Sequence, residues 1–191
     1  MKQRGFTLIE LVTGVAIIAL LSVVLSAIVV SAQRSAAVEK TRVDLVTENR
    51  RLIDETTRNI KNASSVLASS TVLGSPYITG SQTLILQLPA IDASQTLLTG
   101  VSDTLVFRQT GSNYEFIQDA GSGSVRPDTG SRIFSQRVTT LTFTYYDSGG
   151  TQLSGNYQNA QSVSVSVALS QTVRGQAISS TLADTATLRN K

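Results

Sequence analysis

Met1-Lys2-Gln3-Arg4-Gly5-Phe6-Thr7-Leu8-Ile9-Glu10 leads into an apolar run, Leu11 to Ala32, that carries no charge. As a helix rising about 1.5 Å per residue, those 22 residues cross the roughly 30 Å hydrocarbon core of a bilayer. Lys2 and Arg4 stay on the cytoplasmic side by the positive-inside rule, which sends everything after Ala32 outside. A single carboxylate, Glu10, stands at the start of the run. A charge at that depth is costly in lipid and marks a function or a partner.

Two ordinary readings of this segment are a cleaved secretory signal and a plain signal anchor. The apolar region of a secretory signal is about 7–15 residues, shorter than this one, although Val30-Ser31-Ala32 offers small residues for a cut. A plain anchor accounts for length and orientation and leaves Glu10 unexplained.

Beyond Ala32 the composition changes. Gln33 to about Leu67 mixes charges of alternating sign with apolar residues at helical spacing. Val38, Leu45, Leu52, Ile53, Ile60 and Leu67 fall close to a seven-residue stripe. Neither Gly nor Pro occurs from Val15 to Leu73. The pattern predicts one helix from about Thr7 to about Val66, roughly 90 Å long, apolar all round at first and amphipathic later. Opposite charges one turn apart, such as Asp54 and Arg58, predict surface pairs worth about 0.3 kcal/mol each. Ala19, Ser22, Ser26 and Ala27 are small enough to let membrane helices approach closely.

From Gly74 onward the period is two. Strands are predicted at Thr83–Leu88, Thr104–Gln109, Tyr114–Gln118, Arg132–Val138, Leu141–Tyr146, Ser162–Ser170 and Ala177–Arg189, with a hairpin through Gly111-Ser112-Asn113. The alternation after Ser162 should bury Val163, Val165 and Val167. Pro89, Gly100, Gly121–Gly123, Pro127 and Gly149–Gly150 read as loop positions, as does the turn-like Arg126-Pro127-Asp128-Thr129-Gly130. Asn62-Ala63-Ser64 matches a glycosylation acceptor pattern but falls on the predicted helix. The fold class is therefore α+β, one long N-terminal helix packed on a mostly antiparallel sheet.

There is no Cys and no His. That removes disulfides, thiolate metal sites, the cysteine nucleophile and the commonest general base. Carboxylates, Ser and Lys remain, and no catalytic or cofactor-binding constellation stands out among them. Net charge is +3, and without Lys2 and Arg4 the balance is 14 basic residues against 13 acidic. The basic character belongs largely to the head, so nucleic acid is not an expected partner.

Lys2-Gln3-Arg4-Gly5-Phe6-Thr7-Leu8-Ile9-Glu10-Leu11 resembles the processing motif of type IV prepilins and pseudopilins: a short basic leader ending in Gly, then Phe-Thr-Leu-Ile-Glu. The resemblance implies that a prepilin peptidase cuts between Gly5 and Phe6, and that the new amine on Phe6 is methylated. It implies that Glu10 docks the subunit by pairing with a neighbour's terminal amine in the filament, where a buried charge is tolerable only when paired. It also implies the pilin-like fold and the partners: other pilin or pseudopilin subunits, the peptidase, an assembly-platform membrane protein and the membrane. No enzymatic activity, small-molecule substrate, cofactor or metal is expected. The division that follows is a leader (1–5), a transmembrane or filament-core helix (6–32), the amphipathic half of the helix (33–73) and a globular β-rich domain (74–191).

Many major pilins carry a proline midway through this helix. None lies between Leu11 and Ala32, which favours a minor subunit. Thr139 to Gly150, the alternating Val strand and Thr187-Leu188-Arg189-Asn190 resemble the J-type minor pseudopilin of type II secretion and its type IV pilus counterpart, over about Arg132 to Asn190. Some pilin-like proteins hold Ca²⁺ through loop carboxylates. Asp92, Asp103, Asp119, Asp128 and Asp147 are placed in loops here, but they lack the clustering of a calcium loop and read as turn formers. The expected protein is a filament subunit of the inner membrane with an extracytoplasmic domain. The alternative is an uncut membrane-anchored binding or enzymatic domain. The motility, secretion and DNA-uptake machines that use such subunits are not separated by the sequence.

Overall fold

The computed structural model describes residues 7–126 and 129–189. Its first element is a helix, α1 (Leu8–Asn62), 55 residues and about 80 Å long. From Leu8 to Ala36 every residue except Gly14 is exposed. Beyond that point one stripe turns inward: Leu45, Asn49, Leu52, Ile53, Thr56, Thr57 and Ile60 are buried. Val38 packs against the same core, as its place in the stripe predicts.

The helix ends four residues before the expected Val66. Ala63 is extended (ψ 147°), and Ser64 N–H donates to Gln87 O at 2.8 Å. The Ser64 hydroxyl bonds the same carbonyl, and Ser65 Oγ bonds Gln87 Oε1. Two consecutive serines favour such alternatives to helix, and a waiting strand supplies the partner. Leu67 therefore leaves the helical stripe, and the segment 63–73 is not helix.

Among the described residues eleven strands follow: β1 (Ser65–Val66), β2 (Ser69–Val72), β3 (Ser75–Ile78), β4 (Thr83–Ile91), β5 (Leu97–Thr110), β6 (Asn113–Asp119), β7 (Gly130–Ser135), β8 (Val138–Tyr146), β9 (Gln152–Leu153), β10 (Ser162–Val173) and β11 (Gln176–Thr187). They form a five-stranded sheet, β1-β4-β5-β6-β7, a four-stranded sheet, β11-β10-β8-β9, and the hairpin β2-β3. The pairings are antiparallel, so the α+β expectation holds, with the strands divided between sheets.

The helix packs chiefly on β10 and β11. Val163, Val165, Val167 and Leu169 of β10 are buried in the same core as Leu45 and Ile60, which confirms the alternation reading. A smaller core lies beneath the β2-β3 hairpin, where Val72, Ile85, Val106 and Ile117 are buried and Leu67 and Tyr77 pack against them. Tyr145 OH lies 2.9 Å from Gly80 O and 3.0 Å from Thr83 O, tying the four-stranded sheet to the start of β4.

Several local expectations change. The Gly111-Ser112 turn does join β5 and β6, with Thr110 paired to Asn113. Pro89 and Gly100 lie inside β4 and β5, not in loops. Pro89 is tolerated because the short β1 reaches no further than Gln87 and the register shifts just beyond it. The predicted strand Arg132–Val138 is broken: Arg137 turns away to place Nη1 3.1 Å from Glu48 Oε2 on the helix. Arg58 pairs with Glu55 at 2.6 Å, one turn below, rather than with Asp54.

Asp92 and Asp147 behave as turn formers. Each Oδ1 accepts two backbone N–H groups at 2.8–2.9 Å, from Ser94 and Thr96 and from Gly149 and Thr151. Asp103 and Asp119 instead lie in β5 and β6. Asp103 is fully buried and accepts from Gly121 N–H at 2.8 Å and Ser124 Oγ at 3.0 Å. Arg126 Nε lies 2.7 Å from Asp103 Oδ2 without hydrogen-bond alignment, so that contact is mainly coulombic. This carboxylate organises the 121–126 loop. Pro127 and Asp128 lie outside the described residues.

Candidate functional site

The residues that the sequence marks are at the foot of α1. Gly5 and Phe6 lie outside the described residues, and Glu10 lies within them. Thr7 is extended (φ −80°, ψ 152°) and caps the helix. Its Oγ1 accepts from Glu10 N–H at 3.4 Å, and Glu10 Oε2 accepts from Thr7 N–H and Thr7 Oγ1, each at 2.9 Å. This is a reciprocal capping box, in which side chain and backbone satisfy one another's free donors and the carboxylate sits at the positive end of the helix dipole. Thr7-x-x-Glu10 is the sequence signal for it, a role for Glu10 within its own chain that the docking expectation does not include. A cut between Gly5 and Phe6 leaves the Thr7 amide intact, so the cap is compatible with processing.

Above the cap the helix is apolar on all sides, with a mean hydropathy of 2.8 in its most apolar window, long and apolar enough to cross a membrane. Three of its hydroxyls bond back to the helix: Thr13 to Ile9 O at 2.9 Å, Ser22 to Ile18 O and Ser26 to Ser22 O, both at 2.8 Å. Satisfied in this way, they can face lipid or another helix without an orphaned donor.

Where α1 meets the domain, polar residues inside the buried stripe fix its position. Asn49 Nδ2 donates to Val167 O at 3.0 Å and Ser180 O at 3.1 Å, bridging β10 and β11. Thr56 Oγ1 and Tyr114 OH are 2.6 Å apart in the core. Burial pushes the Tyr114 phenol well above its usual range, an effect that the Thr56 hydrogen bond offsets in part. An aromatic group (Phe107, Tyr114, Phe116, Phe134) lies beside this contact. Its outer end is covered by the Arg132 guanidinium, 4.8 Å from the Phe134 ring centre and 5.6 Å from that of Phe116.

Among the described residues, no group of three or more acidic side chains is arranged to hold a metal ion. The geometry brings together a helix cap, an exposed apolar helix long enough to cross a membrane and a firmly locked junction between that helix and a folded C-terminal domain. Residues 1–26 match the family model of the prokaryotic N-terminal methylation motif, the type IV prepilin-like cleavage and methylation signal. No curated protein matches the chain.

Proposed function

We propose that this chain is a structural, non-enzymatic subunit of a type IV pilus-like filament, most closely of the minor pilin or pseudopilin kind. It waits as a single-pass precursor in the inner membrane. A prepilin peptidase cuts after Gly5 and the Phe6 amine is methylated. An assembly-platform protein then passes the mature subunit into a pilus or pseudopilus, where Glu10 pairs with the amine of a neighbouring subunit. The match over residues 1–26, on a helix that continues unbroken into a folded domain, carries the reading. The helix without proline and the resemblance of Arg132 to Asn190 to J-type minor pseudopilins support the minor assignment.

The helix has two settings in this reading. In the membrane its apolar half is solvated by lipid. In the filament the same surface meets the helices of other subunits, and a misplaced subunit leaves Glu10 and an amine unpaired. Intact mass and N-terminal sequencing of the protein from its own host test the proposal. The expected chain begins at methylated Phe6, whereas a chain that retains Met1–Gly5 identifies an uncut anchor instead.

A further inference from the structure

We propose that the β10–β11 hairpin rests on the extracytoplasmic surface of the membrane, where Arg174 and Arg34 hold the phosphates of anionic phospholipids; this depends on the membrane-anchored stage of the reading above. The hairpin points that way. Asn49 Nδ2 donates to Ser180 O at 3.1 Å, and higher on α1 Lys61 O accepts from Arg189 N–H at 3.4 Å. β11 therefore rises with the helix, and the Arg174-Gly175 turn before it faces the apolar half.

The hairpin also outreaches its sheet. β8 accompanies β10 only as far as Leu169, and Ser170 N–H donates to Arg137 O at 2.9 Å just beyond. The last rungs pair Gln171 with Ile178, Thr172 with Ala177 and Val173 with Gln176. Among the described residues they belong to β10 and β11 alone, about 10 Å of ribbon. Ile178 is buried in the same core as Leu45, and Val38 and Val173 pack against that core, so the ribbon lies along α1.

The height of the tip follows. Ala37 and Val38 are half-buried, whereas Arg34, Ser35 and Ala36 beneath them are exposed. Ala37 stands about 8 Å above Ala32 along the helix. The headgroup layer on each side of a bilayer is roughly 5–8 Å deep. When the uncharged run fills the hydrocarbon core, the tip is at the level of the headgroups.

Charge selects the partner. Between Asp147 and Asp184 the only charged residue is Arg174. It has φ 50° and Gly175 has φ 82°, a two-residue turn whose first place ordinarily goes to Asn, Asp or Gly. That backbone is unfavourable for arginine, so the turn by itself does not call for one. A Cβ built on Gly175 would meet nothing within 4 Å, so the tip is open. Arg34 lies one helical turn below Val38 on the same face, beneath the ribbon. Among the described residues neither arginine has an ion pair or a side-chain hydrogen bond. The nearby Glu39 is held by Arg42 at 3.3 Å. Two unpaired guanidinium forks suit phosphate oxygens, and the hairpin carries no acid that an anionic surface would repel.

Because the chain has no Cys, introduced thiols report without background. Full-length protein, one chain per lipid nanodisc, carries a fluorophore on Thr172→Cys beside the tip. A second sample carries it on Thr151→Cys, in the β8–β9 turn at the opposite end of the domain. A quencher is attached to the lipid headgroups. In discs of phosphatidylcholine with phosphatidylglycerol, the tip should be quenched strongly and the Thr151 site weakly. Omitting phosphatidylglycerol or adding salt should lower the tip's quenching several-fold. Arg174→Asn suits the turn and removes the charge, and it should do the same; Arg34→Gln should also weaken the signal. Equal quenching without phosphatidylglycerol, indifference to Arg174→Asn, or equal quenching at both sites would each overturn the contact. A tip that is free in single-chain discs, with an Arg174→Asn variant that fails to enter filaments, serves another subunit and overturns it too. Flotation of the same protein with vesicles in high salt reads the anchor. A chain that floats with an unquenched tip defeats the contact alone; one that does not float defeats the membrane reading itself.

Discussion

The two halves of α1 are one continuous helix built for two solvents. From Leu11 to Ala32 the helix carries no charge and, Gly14 apart, every residue is exposed. Above it a single stripe enters the core, and the remaining faces carry charge. Their polar side chains differ in the same way. Ser22 and Ser26 bond only to their own helix, whereas Asn49 and Thr56 reach strands far along the sequence. Helix propensity is thus not what distinguishes the halves. What differs is whether the partner of each face lies inside the chain or outside it.

The largest expected break in this contrast comes from paired truncations. Leu52→Ala should lower the stability of the domain by about 3 kcal/mol, since Leu52 is 1% exposed and a cavity would remain. Leu21→Ala, equal in chemistry but 56% exposed, should leave it within about 0.5 kcal/mol. Denaturant unfolding of the detergent-solubilised chain reads both, and equal losses would abolish the distinction. A smaller difference is expected for the polar residues. Asn49→Ala should cost about 2 kcal/mol through its lost bonds to Val167 and Ser180. Ser22→Ala should cost nothing measurable, because its hydroxyl bonds only to its own turn.

The subtlest effect is one of pH. Burial raises the phenols of both Tyr114 and Tyr145. Unfolded tyrosines titrate near pH 10. Above about that pH the unfolded chain gives up protons that the folded chain retains, so stability falls as pH rises. Melting temperatures measured from about pH 8 to 11 should decline only at the upper end, and Tyr114→Phe should make the decline shallower. An unchanged slope in that variant would remove Tyr114 from the account.

What the sequence made legible was what periodicity and spacing encode locally. The buried stripe through Leu45, Leu52, Ile53 and Ile60, the Val face of β10 and the Gly111-Ser112 hairpin all follow from such patterns. The helix end at Asn62 depends on Gln87, which is distant in sequence, and no Gly or Pro announces it. Asp103 reads as a loop residue because Asp favours turns, and only the fold shows Gly121, Ser124 and Arg126 gathered around it. The division into two sheets likewise depends on contacts such as Tyr145 with Gly80. The Thr7–Glu10 cap is legible as Thr7-x-x-Glu10, a pattern local to four residues.

That cap sets the decisive measurement, because it gives Glu10 a use within its own chain beside the one proposed between chains. Glu10→Gln preserves the side-chain acceptor of a capping box and removes the charge. The quantity to measure is the fraction of mature chain recovered in sheared filaments rather than membranes. The account predicts that Glu10→Gln is processed and inserted normally, keeps a folded domain, and stays in the membrane as Glu10→Ala does. If Glu10→Gln assembled like the unaltered protein while Glu10→Ala did not, Glu10 would act as a helix cap and the charge-pairing account of docking would be contradicted.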